Sequence, residues 1–317
     1  DIFEILCLLA FFSVWGALAR LGLSSLEGYP GAAVQPLVWA QFVGCVVMGA
    51  LAELKDFFVV ADGRNLQLFV GLSTGFCGSF TTFSSWMSTT FLAMANAQPS
   101  YDRPRGYSVL GLIDGITLTL AFSLTGLKFG REVGVFVRHL WTKSLYGFNL
   151  VSGRRTVPTM KVLAVGLGAG CWIGVLLMCI FIKKWRGNAL FAATFGPMGT
   201  FLRWYLSRKL NPLNPRFPIG TFAANIFGTI VIGCLMIGQQ RVYQRADPTA
   251  CQVLQGLMDG FCGCLTTIST FVLELVTLER RNAWTYGSVS VVCGVVCMCL
   301  TAGVDHWRFR AHEVVRC

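Results

Sequence analysis

The sequence predicts an all-α transmembrane protein of two related four-helix halves, inverted relative to one another and joined by one linker span, nine spans in all. Three observations predict this. Charged residues make up 13% of the 317 positions and hydrophobic ones 54%, whereas a soluble globular chain carries roughly 25% charge. Apolar stretches long enough to cross a bilayer, roughly 20 residues each, occur nine times. Three separate motifs recur at a nearly constant offset.

The spans fall at about 4–25, 34–54, 66–96 and 107–127, and then at 161–182, 188–206, 219–239, 250–278 and 284–304. The first could pass for a signal peptide. It begins with acidic Asp1 and Glu4, lacks a basic start and a small-residue cleavage site, and is read as a retained span. The third and eighth carry Gly, Ser and Thr at their centres. Unwound helix at such centres is tolerated in a membrane only where it is buried in protein or lines a polar cavity. A polar, basic connection is expected at about 128–160.

The repeat is read directly from the residues. Gly16-Ala17-Leu18-Ala19-Arg20 returns as Gly199-Thr200-Phe201-Leu202-Arg203, an offset of 203−20=183. Ala40-Gln41-Phe42-Val43-Gly44 returns as Ala224-Asn225-Ile226-Phe227-Gly228, an offset of 225−41=184. Gly75-Phe76-Cys77-Gly78 through Trp86 returns as Gly260-Phe261-Cys262-Gly263 through Phe271, an offset of 263−78=185. A chain that repeats itself this way is a fused duplication. Four spans per half is an even number, so two halves joined directly would point the same way. The extra span at 161–182 reverses the second half and yields an inverted repeat, an arrangement that puts transport sites near the midplane. The expected units are 1–127, a connection and linker at 128–187, and 188–317.

Charge and cysteine content exclude other classes. The net charge of +11 comes from Lys and Arg lying between apolar runs, as at membrane-span flanks, and not from an aromatic-laced nucleic-acid surface. Most of the thirteen cysteines, including Cys7, Cys45, Cys171 and Cys179, sit inside apolar runs as small hydrophobes. Cys262-x-Cys264 and Cys297-x-Cys299 lack zinc spacing. The three histidines (His139, His306, His312) lie near span ends or in loops, and no catalytic set or phosphate-cradling loop is present, so no enzyme is expected. The basic 128–160 connection favours a cytoplasmic N-terminus and an external C-terminus.

Gly-x-x-x-Arg, the Asn225 segment and Gly-Phe-Cys-Gly-x-x-Thr-Thr-x-Ser-x-aromatic, all in order and twice, resemble the small Fluc (CrcB) fluoride channels. With its linker helix the chain is similar to the fused two-domain members of that family, the eukaryotic fluoride exporters (FEX). The resemblance covers both halves. It implies a passive, selective channel that lets fluoride leave the cell across the plasma membrane, working as a monomer that is an internal pseudo-dimer, with lipid and fluoride as its only partners. It also implies a structural sodium ion at the centre, held by backbone carbonyls around Gly78 and Thr81 and around Gly263 and Thr266. A hard cation takes oxygen ligands, and an unwound Gly-x-x-Thr segment frees its carbonyls. Taken on the residues alone, a break made only for packing fits the segment equally well.

Fluoride is small and tightly hydrated, so a pore must replace water with hydrogen-bond donors, and amide and hydroxyl groups donate. The resemblance implies that each pathway uses one amide on a second span and two aromatics of the broken spans, taken from different halves. Aromatic edges are the positive end of the ring quadrupole. One pathway then holds Asn225, Phe83 and Phe271. The other holds Gln41, Trp86 and Ile268, departing from the family at all three positions. This bias to one side predicts a single working pathway beside a degenerate one, although Gln also donates and drift in a still-open pore fits too. Tyr286 and Ser290, four apart on the last span, extend the first pathway. Tyr107 matches Tyr286 in the other half, with Gly111 four on and Thr119 and Ser123 continuing that face. Arg20 and Arg203 either draw anions to vestibules or satisfy helix-end carbonyls. The alternative function is a proton-coupled fluoride or anion antiporter, for which Asp114, Asp259 and Glu274 are the titratable candidates.

Overall fold

A computed structural model describes residues 2–29, 34–59, 66–97, 106–147 and 157–309. Among these the chain is helical throughout, with short turns between helices. Seven helices are long and apolar enough to cross a membrane, two fewer than the nine stretches expected. The third stretch is interrupted, and its longest pieces are Gly71–Cys77 and Phe83–Met94. The sixth, Phe191–Leu210, carries Arg203, Arg208 and Lys209 in its last eight positions.

Each repeat contributes a first helix (Ile2–Leu26; Phe191–Leu210), a second helix (Pro36–Val59; Ile219–Gln244), a broken helix and a last helix. The first broken helix runs through Leu66–Val70, a π-helical stretch Gly71–Cys77 and one α-turn Gly78–Phe80, then restarts at Phe83–Met94. The second runs Pro248–Gly256, π-helical Leu257–Cys262, Gly263–Leu265, then Ser269–Thr277. A π-bulge inserts an extra residue per turn and is found where function competes with regular bonding. Here it falls at the same place in both repeats.

Glycine sets the distance between first helices and broken helices. A Cβ on Gly16 would lie 2.6 Å from the Phe76 carbonyl oxygen, and one on Gly199 would strike the Phe261 carbonyl. Any larger residue would push the first helix off the break.

The basic connection expected over 128–160 is helical at both of its described ends. The last helix of the first repeat continues from Tyr107 to Gly147, and the linker helix is Val157–Phe181. Forty-one residues span about 60 Å of helix, twice the hydrocarbon core. The extension is held by packing that charge composition conceals. Gly126 and Gly134 pass the second helix at the carbonyls of Phe42 and Ala50, where a Cβ would approach to 2.7 and 2.9 Å. Glu53 then faces Arg131 at 3.8 Å and Arg138 at 3.7 Å.

The largest cluster of buried side chains draws on both repeats: Cys45, Phe83, Trp86 and Met87 from the first, and Cys262, Ile268, Phe271 and Tyr286 from the second. The repeats share one core, centred on the two breaks.

Candidate ion pathway

The breaks form where consecutive threonines leave helical geometry. Thr81 has φ −105°, ψ 151° and Thr82 φ −148°, ψ 127°; Thr266 has φ −97°, ψ 155°. Extended residues inside a helix strand the amides of the segment that follows, and in apolar surroundings these need partners. The partners are exchanged between repeats. The Thr266 hydroxyl accepts from the amides of Phe83 at 3.1 Å and Ser84 at 3.0 Å. Reciprocally, the Thr81 hydroxyl accepts from the amides of Ile268 at 3.2 Å and Ser269 at 3.0 Å. Each repeat thus caps the other's outgoing helix. Hydroxyl pairs Thr81–Thr267 (3.2 Å) and Thr82–Thr266 (3.0 Å) close the crossing.

The second threonine of each break is held by an amide side chain from its own second helix. Asn225 donates to the Thr267 carbonyl at 3.2 Å and accepts from the Thr267 amide at 2.9 Å. Gln41 donates to the Thr82 carbonyl at 2.7 Å and accepts from the Thr82 amide at 3.2 Å. Both are fully buried. Asn and Gln therefore do the same positioning work. One N–H of each side-chain NH2 serves that bond, and its second N–H remains to be offered elsewhere.

Arg20 and Arg203 are buried and reach across the repeats. Arg20 donates to Ser79 O at 2.7 Å in its own repeat and to Gly263 O at 2.9 Å and Asp259 O in the other. Arg203 donates to Cys264 O at 2.9 Å and to Thr74 O at 2.8 Å. The planes fit only against glycine, since a Cβ on Gly78 would overlap the Arg203 guanidinium and one on Gly263 that of Arg20. Both arginines satisfy broken-helix carbonyls. Arg203 also lines a cavity, treated below.

The carbonyls expected to hold sodium fit the chemistry of a hard cation in part. Diversion of the Thr82 and Thr267 amides to Gln41 and Asn225 removes the donors that an unbroken helix would send to Gly78 and Gly263 four residues back. The Gly263 oxygen takes Arg20 instead, so an ion there would share that ligand with a guanidinium.

The expected aromatics divide unequally. Phe83 and Phe271, from different repeats, meet edge to face with centroids 5.7 Å apart and planes at 72°. The line continues through Tyr286, 5.2 Å from Phe271, to Phe217 at 5.1 Å. Trp86 also meets Phe83 edge to face, with centroids 5.3 Å apart and planes at 85°, and gives its indole N–H to the Gly115 carbonyl at 2.7 Å. Ile268, buried beside the crossing, has no ring edge to offer. Ser290 is buried, and its hydroxyl has no hydrogen-bond partner among the described residues. Tyr107 is half-buried at the start of the long helix, its ring beside Gly111.

Glu274 is readable from the sequence as a titratable group, and its partners come only with the fold. Its carboxylate accepts from Tyr286 at 2.7 Å, from Thr221 at 2.7 Å and from Asn211 at 3.4 Å. It therefore commits the Tyr286 hydroxyl and ties the last helix to the two helices before it. Its position three after Phe271 was the available signal. Asp114 is exposed on the long helix.

The family model described as CrcB-like protein, Camphor Resistance (CrcB) matches residues 7–127 and again residues 190–304. Fluoride export protein 1 of Neurospora crassa is 37% identical, the alignment covering 96% of this chain and 67% of that protein. Fluoride export protein 1 of Schizosaccharomyces pombe is 33% identical over 93% of this chain and 94% of its own length. The Fluoride-specific ion channel FluC of Acinetobacter baumannii is 33% identical over 35% of this chain and 86% of its own length, the size of one repeat. No solved structure matches the chain significantly. With both repeats matched by the family's model and full-length relatives aligned along nearly the whole sequence, the chain belongs to the CrcB family.

Proposed function

We propose that this chain is a passive, selective fluoride channel that exports fluoride, and that it conducts on the side of Asn225, Phe83, Phe271, Tyr286 and Ser290. The observation that carries the reading is the unequal furnishing of the two sides. Both sides hold a buried amide and a buried unpartnered hydroxyl, Ser290 on one and Ser123 on the other, but only the first pairs two phenylalanine rings from different repeats; the second has its indole N–H consumed by Gly115 and an isoleucine in place of a ring. Fluoride shedding water on the first side meets the free N–H of Asn225, the hydroxyl of Ser290 and the positive edges of Phe83 and Phe271. The relatives named for fluoride export and for a fluoride-specific ion channel support the same ion.

The proposed frame is nine spans, counting both broken helices and Phe191–Leu210, with units 1–127 and 188–317 inverted about the linker. The chain is proposed to act as a monomer in the plasma membrane, N-terminus cytoplasmic and C-terminus external. Sodium, where bound, would be held by carbonyls of Gly78, Thr81, Gly263 and Thr266 and would neutralise carbonyl dipoles at the crossing. No observation favours proton coupling, since Asp114 is exposed and Glu274 is enclosed by three donors.

The test is fluoride release from potassium-loaded liposomes holding the purified chain, with valinomycin and no pH gradient. Rapid fluoride release without chloride release is expected. Release only under an imposed proton gradient would replace the channel with an antiporter.

A further inference from the structure

A cavity of about 260 Å³ opens beside Arg203 and touches both broken helices. Thr74 lines it from the first and Thr270, next to Phe271, from the second; Trp204, Ser207 and Arg208 complete the wall from the Phe191–Leu210 helix. Arg208 is exposed, and its guanidinium is held over the Trp204 ring at 5.3 Å from the centroid. Such stacking orders a cation that would otherwise sweep freely through solvent.

The duplication supplies an internal control. With the first-helix offset of 183, Trp204 corresponds to Leu21 (204−183=21) and Arg208 to Ser25 (208−183=25), while Arg203 corresponds to Arg20. With the broken-helix offset of 185, Thr74 corresponds to Asp259 (74+185=259) and Thr270 to Ser85 (270−185=85). One site therefore presents two guanidinium groups and no carboxylate. The corresponding positions carry one guanidinium, Arg20, and the carboxylate of Asp259, with neither the second cation nor the tryptophan that would hold it. Glu274, on the same helix as Thr270, turns its carboxylate to Thr221, Asn211 and Tyr286 and does not line the cavity.

We propose that this cavity is the anion-capture mouth of the conducting side, with Arg208 as the residue that concentrates fluoride there and Trp204 as its positioning residue. The inference rests on the fluoride-channel reading. A cleft lined by one sign of charge raises the local concentration of its counter-ion and the rate of its arrival. The mouth touching Thr270 is so charged and the corresponding residue positions of the other repeat are not, so the electrostatic asymmetry favours the side that also has the pathway groups. Arg208 also lies in the last turn of its helix, where a cation satisfies the helix dipole. That role would affect stability but not the dependence of flux on fluoride concentration.

The test uses the whole chain in liposomes, comparing wild type with R208K, R208Q, R208E and W204L. Potassium is fixed, and ionic strength is varied with N-methylglucamine glutamate. At low fluoride and low ionic strength, R208Q should slow initial release about three- to ten-fold, R208E more and R208K less. The gap should close at high ionic strength, where the Debye length is about 3 Å, and at high fluoride. W204L should show a weaker version of the R208Q effect. Variants equal to wild type at low ionic strength, or a deficit that is independent of salt and fluoride, would overturn the capture proposal. Absence of fluoride release from wild type itself would instead overturn the channel reading.

Discussion

Asn225 and Gln41 make the same pair of backbone bonds, so a simple reading of the contacts would give them equal importance. Their structural and conducting roles separate experimentally. Replacing either with Ala leaves a buried threonine amide and carbonyl unpartnered, at about 1–3 kcal/mol for each group. N225A and Q41A should therefore lower thermal stability in detergent by comparable amounts. Fluoride release should fall by about a hundred-fold or more in N225A, equivalent to roughly 3 kcal/mol at the barrier, and stay within a few-fold of wild type in Q41A. Equal loss of release in both would show that both sides conduct or that the amides are only clasps. Ser290 gives the complementary case. Its hydroxyl has no protein partner to lose, so S290A should melt with the wild type while fluoride release drops about ten-fold, near 1.4 kcal/mol. An unchanged rate would remove Ser290 from the pathway.

At the scale of elements, the exchanged threonine caps make each outgoing helix depend on the other repeat. Thr266→Val removes the acceptor used by the amides of Phe83 and Ser84, and losing a cap costs about 0.5–2 kcal/mol. The expected signature is a lower melting temperature together with faster hydrogen exchange at the start of Phe83–Met94, in the repeat that was not mutated. Exchange that accelerates only within the second repeat would contradict the cap assignment. Gly78→Ala and Gly263→Ala should be more damaging than ordinary helix Gly→Ala changes, because the added methyl displaces a buried guanidinium from its carbonyls. Poor recovery of folded protein by gel filtration would report it, and normal recovery would mean the arginine relaxes easily. The 41-residue last helix belongs to this scale as well. Its extension stands on glycines packed against the second helix and on the Glu53 pairs, features that depend on a neighbour and not on hydropathy.

At the scale of the whole molecule, the proposed nine spans would place the two termini on opposite sides of the membrane. Epitopes added at each end should be labelled from opposite sides of intact cells, the C-terminal one from outside. Labelling of both from the same side would refute nine spans and with them the inversion about the linker. A passive conductor also predicts that fluoride release follows the electrical and fluoride gradients alone. Collapsing or reversing a pH gradient at fixed potential should leave the rate unchanged.

Much of this was legible in the residues because it depends on composition, on local period or on self-similarity. The charge deficit and apolar runs identify a membrane protein, and three motifs recurring at offsets of 183 to 185 identify the duplication. The Gly-x-x-Thr-Thr centres mark the breaks. What only the tertiary structure decided is who satisfies whom. Thr266 capping Phe83, Arg20 reaching Gly263 and Glu274 enclosing the Tyr286 hydroxyl are pairings between different elements, the first two across 183 and 243 residues. The packing of the last helix against Pro36–Val59 beyond residue 127, through Gly130, Gly134 and the Glu53 pairs, likewise belongs to the tertiary structure. A sequence states which groups will need partners once water is excluded. Which partner each one finds depends on how the helices cross, and that is fixed by packing the whole chain.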